Sequence, residues 1–286
     1  MSTPFRAVAA LLLSCGFAHV VVAQDPPVDL LPDIIVDTAY LDDYIVVTNV
    51  EAGRTHMRFS NATANIGDGP VYVIGVEPPA KDDGEEITQE VIQRIYRSDD
   101  TYYERTAGQF TFHPEHNHVH VDDWSVYRLR AVLPNDGVGD VLATGEKISF
   151  CLLDSALYDA SLPNTPDAGV FLDCGFGVQG ISVGYEDVYS RFLPGQWIDI
   201  TDIPSGVYWL ESEVDPLNNM LEFDETNNIG RILVTIEKDD PPPPPQEGFF
   251  AWLRALIQQF IDLILSIFGG GNPVPLPEGK GLHIAL

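Results

Sequence analysis

From about Pro27 to Ile236 the apolar residues come in short runs that alternate with polar ones or are rich in β-branched side chains. YIVVTNV (44–50), GPVYVIGV (69–76), VYWLESEV (207–214) and GRILVTI (230–236) are the clearest, and Gly, Pro, Asn and Asp clusters separate them. Period-two alternation between turn-formers predicts half-buried strands. No helical period persists in this region and no internal repeat is visible. The expectation is a mainly β, antiparallel, sandwich-like domain over residues 24–236 with long loops. KDDGEE (81–86) reads as a solvated loop.

The pattern changes beyond residue 236. An acidic and Pro-rich linker, 237–247, carries Pro241–Pro245, which favour an extended, semi-rigid spacer. Residues 248–268 then read as one hydrophobic helix, with a tail at 269–286. Arg254, Gln258, Asp262 and Ser266 recur every four positions and form one narrow polar stripe on it. A membrane span would place Arg254 and Asp262 in the bilayer, at about 2.5–3.5 kcal/mol each near its centre. Attachment to a membrane surface or self-association is the preferred reading. At the other end Arg6, the apolar stretch 7–22 and Val21-Val22-Ala23 read as a secretory signal over residues 1–23. A lipoprotein site at Cys15 is the rival reading. Either implies a secreted, periplasmic or cell-surface protein.

Charge narrows the partners. Forty-three acidic residues face 15 basic ones, for a formal net of −28. With no basic run to neutralise phosphates, nucleic acid is excluded as a natural partner. A cationic substrate would be drawn in by this field, although solubility alone explains the same charge. Of three cysteines, Cys151 and Cys174 lie outside the signal, and an exported pair invites one disulfide.

The densest chemistry is FHPEHNHVHVDDW, with His113, His116, His118 and His120 inside eight residues. On a strand the last three share one face. Clustered neutral imidazoles suit copper or zinc. Asp122 and Asp123 could orient imidazole N–H groups, or simply be exposed carboxylates. A further polar stretch, DPLNNMLEFDETNN (215–228), offers oxygen ligands that calcium could use, with a plain hairpin loop the preferred reading.

Read together, these segments resemble the catalytic domain of the lysyl oxidase family. The family's H-x-x-H-x-H-x-H is matched by His113, His116, His118 and His120, and its K-A-S-F-C-L by Lys147–Leu152. Q-G-[LI]-S-x-G is matched at Gln179–Gly184, and Q-W-I-D-I-T-D without change at Gln196–Asp202. Weaker matches lie at LPDIIVD and Asp224–Asn228, so the resemblance covers most of residues 31–236. It implies copper(II) on His116, His118 and His120, with His113 beside them. It also implies a lysyl tyrosylquinone built from Lys147 and Tyr189. The implied reaction oxidises a primary amine, free or peptidyl lysine, to an aldehyde with O2, releasing NH3 and H2O2. Asp187 is the first choice as proton acceptor, with Asp199 and Asp202 as alternatives.

Departures from the pattern are specific. Phe110 and Phe112 stand where the animal enzymes have tryptophans, and Glu115 replaces a cysteine within the copper motif. Tyr185 and Gly195 replace two more cysteines. The segment between Lys147 and Tyr189 is longer, which makes their closeness a question for the structure. Two rival functions need only the histidines: a non-catalytic metal-binding extracellular β-module and a zinc hydrolase.

Overall fold

The computed structural model describes residues 25–51, 53–75, 87–113, 118–145, 147–175, 177–238 and 258, except the side chains of residues 87 and 113. A boundary follows Ile236. Beyond it only Glu237, Lys238 and an exposed, helical Gln258 are described. The expected signal at 1–23 and most of the expected helix at 248–268 therefore lie outside the described residues. No helix among the described residues is long and apolar enough to cross a membrane.

The first unit is mainly β, and every strand pairing in it is antiparallel. In chain order it runs β1 (Asp29–Leu30), β2 (Ile34–Val36), α1 (Thr38–Leu41), β3 (Tyr44–Thr48), β4 (Thr55–Phe59) and β5 (Asn61–Asn65). Next come β6 (Val71–Gly75), β7 (Ile87–Arg97), β8 (Tyr102–His113), β9 (His118–Val121), β10 (Ser125–Leu133) and β11 (Gly137–Thr144). The last are β12 (Ala156–Leu157), β13 (Val178–Ile181), β14 (Tyr185–Tyr189), β15 (Trp197–Asp199), β16 (Gly206–Val214) and β17 (Ile229–Ile236).

Four sheets share one core. The largest has the order β13-β6-β7-β8-β9, with β1 also on β7; the others are β11-β10-β16-β17, β12-β14-β5-β2 and β15-β4-β3. Trp124, Tyr127, Phe59, Phe110 and Phe150 are the bulkiest fully buried side chains in this core. Each such burial contributes on the order of 1.5–3 kcal/mol.

Two features of this frame position the site. First, the largest sheet curls until its edge strands β9 and β13 approach, and residues 150–152 fill the seam. Phe150 bridges Val121 of β9 through a pair of backbone hydrogen bonds. Two residues on, the Leu152 carbonyl accepts from the Gly180 N–H of β13 at 3.2 Å. Gly180 is required there, because a Cβ would lie 2.1 Å from the Val71 carbonyl and within 2.8 Å of the Phe171 ring.

Second, β5 (NATAN) is buried along its whole length between β14 and β2. Two of its polar side chains are hydrogen-bonded inward: Thr63 accepts from the Trp124 indole N–H, and Asn65 makes several bonds. Asn65 accepts from Asp33 N–H and donates to the Gly69 and Ile181 carbonyls. The Asn61-Ala62-Thr63 glycosylation pattern thus falls on a buried strand, with Asn61 opposite Tyr189.

Candidate active site

β9 is a four-residue strand on the edge of β8, with His120 opposite Thr111 and His118 opposite the backbone of His113. His118 and His120 fall two residues apart on one strand, so both imidazoles project from the same face. Their Nε2 atoms are 2.8 Å apart. At that separation both ring nitrogens could reach a single metal ion. His116 lies outside the described residues, and of His113 only the backbone is described. Asp122 accepts from Thr111 Oγ1 at 2.6 Å, and Asp123 occupies the turn after β9 with φ +52°.

The seam segment delivers Lys147 to the same place. The Ile148 carbonyl accepts from Trp124 N–H, and the Phe150–Val121 bridge lays residues 147–151 alongside the histidine strand. Lys147 Nζ stands 5.2 Å from the centroid of the Tyr189 ring and 4.8 Å from that of Phe150. Gly195, at φ +78°, lets the following turn close over this lysine: a Cβ there would be 3.1 Å from Lys147 Cβ. The longer segment between Lys147 and Tyr189 does not separate them, and its Leu153, Ser155 and Cys174 line the same cavity.

Tyr189 ends β14 and is held at its hydroxyl by one residue's backbone. The oxygen accepts from Cys151 N–H at 2.8 Å and donates to the Cys151 carbonyl at 2.9 Å. Cys151 is itself bonded to Cys174, the disulfide expected of an exported pair. Phe150 meets the Tyr189 ring edge-on at 4.7 Å.

Asp187 lies two residues back on the same face of β14 and is buried. Ser155 Oγ donates to its Oδ1 at 3.2 Å, while Oδ2 has no hydrogen-bond partner. Burial raises the Asp187 carboxyl well above its ordinary range, against the Ser155 hydrogen bond that favours the anion. Lys147 is shifted downward by burial, with the Asp187 charge opposing. Tyr189 is pushed well up by burial, and further by Asp187. A half-buried amine, a phenol and a buried carboxyl thus meet in one place, each with a proton affinity displaced first by burial.

These groups line one cavity of about 290 Å³, together with His118, His120, Leu153, Cys174, Leu193 and Pro194. A larger cavity of about 540 Å³ is lined by Tyr72, Tyr96, Phe171, Asp68, Arg97 and others. Among the described residues its lining has no histidine, lysine or cysteine, whereas the smaller cavity gathers all three. Asp199 accepts from Thr201 and Arg54 on β15, where the Thr201 hydrogen bond keeps its carboxyl low. Neither it nor Asp202 lines the smaller cavity. Ser155 and the Cys151 peptide were missed from sequence, since nothing in a serine or a backbone group marks its contact with residues 32 and 38 positions away.

The polar stretch at 215–228 gathers Asp215, Glu222 and Glu225 with carboxylate oxygens within 4.8 Å of one another. Glu222 accepts from Ile34 N–H and from Asn228, and burial pushes it up to about 8. Asp215 accepts from the N–H groups of Asn219 and Met220, and burial pushes it up to about 6. The stretch ties the N-terminal strands to the body.

A mainly antiparallel β domain thus gathers paired imidazoles, an amine over a phenol ring and a buried carboxyl in one cavity. The chain belongs to the lysyl oxidase family, whose model matches residues 90–240. Lysyl oxidase homolog 1 of Homo sapiens is 36% identical over 128 residues, which is 44% of this chain and 20% of that protein. Lysyl oxidase homolog 2B of Danio rerio is 27% identical over 207 residues, covering 71% of this chain and 24% of that one. Human lysyl oxidase homolog 3 is 36% identical over 121 residues, 42% of this chain and 14% of its own length. The chain thus spans about a quarter or less of these relatives.

Proposed function

We propose that this chain is a copper-dependent amine oxidase whose quinone is built from Lys147 and Tyr189. In the net reaction a primary amine, O2 and H2O become an aldehyde, NH3 and H2O2. The observation that carries this reading is Lys147 Nζ lying 5.2 Å above the Tyr189 ring in the cavity that also holds His118 and His120. A lysine that burial shifts toward its neutral form is suited to add to an oxidised ring, because the free amine is the nucleophile. His116, His118 and His120 would hold copper, with His113 beside them, and the bound metal supplies the one-electron chemistry that lets O2 oxidise Tyr189.

The protein's own groups then handle binding and protons. Leu153, Leu193 and Pro194 give the cavity apolar walls that would take the alkyl chain of an amine and exclude water. Asp187, on the same strand as Tyr189, would accept the proton from the carbon bearing the amine, and Ser155 fixes the rotamer in which it does so. A substrate cation also suits the net charge of −28, whether a free amine or a lysine-rich protein. The N-terminal stretch supports delivery of the protein to the periplasm, cell surface or medium. A zinc hydrolase or a passive metal-binding module would need the histidines but would leave the Lys147–Tyr189 stack without a purpose.

Hydrazine labelling of the copper-loaded protein, followed by digestion and mass spectrometry, tests the reading. The expected product is one labelled species joining the Lys147 and Tyr189 peptides, absent from Lys147→Arg and Tyr189→Phe. Recovery of the two peptides separate and unmodified from fully metallated protein would sink it.

A further inference from the structure

Gln179 is fully buried and ionises nowhere, and no step of the proposed reaction uses it. Its side chain nevertheless spans the seam between the two edges of the curled sheet. From β13, Nε2 donates to the carbonyl of Val119, the residue between His118 and His120, at 2.9 Å. Oε1 accepts from the N–H of Leu152 at 3.1 Å. Leu152 follows Cys151, whose N–H and carbonyl grip the Tyr189 hydroxyl. One uninterrupted path therefore runs from the histidine strand through the two ends of one amide and a single peptide step to the phenol. An amide suits the task because it offers a donor at one end and an acceptor at the other. A carboxylate would face the Val119 carbonyl without a proton to give, and an aliphatic chain would leave both backbone groups buried and unpaired.

We infer that Gln179 is a positioning residue, which sets the distance between the histidine pair on β9 and the Lys147–Cys151 segment with the Tyr189 it holds. It deepens the amine oxidase reading and rests on it for the chemistry it serves. Metal binding needs only the histidines, so it survives loss of Gln179. Conversion of Tyr189 needs metal, phenol and amine in fixed relation, so it does not. Each buried backbone group left unpaired costs about 1–3 kcal/mol, a factor of about 5–150 where it falls on the cross-linking step, and Gln179→Leu leaves two such groups. The Cys151–Cys174 disulfide tethers the same segment from its other side and limits how far it can drift.

The test compares wild type, Gln179→Leu, Gln179→Glu and Val234→Ala, the last a core truncation in β17 that lowers the unfolding midpoint without touching the seam. Three quantities are read: bound copper per chain, yield of the Lys147–Tyr189 cross-link, and nitration of Tyr189 by tetranitromethane in the metal-free protein. Both Gln179 variants should keep wild-type copper stoichiometry, lose cross-link yield about tenfold or more, and nitrate Tyr189 faster, as the Cys151 grip loosens. Val234→Ala should match wild type in all three. Wild-type yield and wild-type nitration in Gln179→Leu would overturn the inference. So would equal losses in Val234→Ala at the same midpoint. If wild type itself forms no cross-link, the amine oxidase reading fails, and nitration alone decides the positioning role: faster in the Gln179 variants supports it, unchanged overturns it.

Discussion

Asp187 concentrates the site's chemistry in one side chain. Its raised proton affinity comes first from burial, and it must be ionised before it can act as the proposed base. The acidic limb of the pH–rate profile for amine oxidation should therefore lie well above the ordinary Asp value of about 3.9, with activity rising as pH climbs through it. Asp187→Asn should lower turnover by about 10²–10⁴ while leaving the cross-link intact. Steady-state kinetics against pH, with the labelled peptide measured in parallel, check both. A wild-type limb at ordinary carboxylate pH would remove Asp187 from the role.

Much of this residue-scale picture was legible beforehand. The spacing of His116, His118 and His120 predicted one shared face, of which the structure describes His118 and His120, and the family pattern pointed to Lys147, Tyr189 and Asp187, which lie in the same cavity. What could not be read was the hardware that holds them. The Cys151 peptide, Ser155 and both contacts of Gln179 join residues 27 to 60 positions apart, and hydrogen bonds at that range leave no local pattern in composition or period.

At the scale of single elements, β16 carries a carboxylate that looks solvent-facing in the alternation of VYWLESEV. Glu211 is in fact fully buried beneath arginines, opposite Arg128 on β10 and Arg231 on β17, with Arg130 also bonded to it. Desolvation would raise its carboxyl, but hydrogen bonds from the three guanidinium groups win, and the carboxyl is held below its usual range. Because the folded value is the depressed one, this contribution is present above the unfolded carboxylate range and is lost as pH falls through the folded value. Glu211→Ala leaves three arginines without their shared anion and should destabilise the protein by about 3–5 kcal/mol in urea unfolding at neutral pH. Glu211→Gln should lose less, since it keeps an acceptor in place. A loss under about 1 kcal/mol for the alanine variant would mean the arginines find solvent instead.

The strands legible in sequence were those with alternating or β-branched runs: β3 and β6 lie inside two of the runs that stood out, and β16 and β17 begin one residue before the other two. β5 was not among them, although it lies between β14 and β2, because Asn-Ala-Thr-Ala-Asn carries no apolar signal. It is held by backbone pairing on both edges, by buried Ala62 and Ala64 and by the side-chain hydrogen bonds of Asn65, an arrangement visible only in three dimensions.

Over the whole molecule the dominant quantity is charge. A formal −28 produces an attractive field for cations that salt screens over about 8–10 Å at physiological strength. If substrates are cationic amines, kcat/KM should fall as ionic strength rises, and more steeply for a diamine than for a monoamine of similar length. Stopped-flow or steady-state measurements across a salt series check this. Identical slopes for the two would show that the charge serves solubility alone.

The way the first unit closes on itself has a consequence in time. Ile34 N–H reaches Glu222 across 188 positions, Asp33 meets Asn227 across 194, and β5 waits for β14 before its second edge is filled. Topologies dominated by such distant pairings fold slowly, over milliseconds to seconds, because the intervening chain must be ordered before any of them is rewarded. A growing chain therefore cannot assemble its centre early: the strand opposite Tyr189 is made long before Tyr189 exists, and the segment that ties down Asp33 and Ile34 is made later still. The chain is thus kept pliant until nearly all of the body has been synthesised. Lys147 and Tyr189 come face to face only afterwards, so the irreversible chemistry proposed for them would begin on a finished fold rather than on a nascent one.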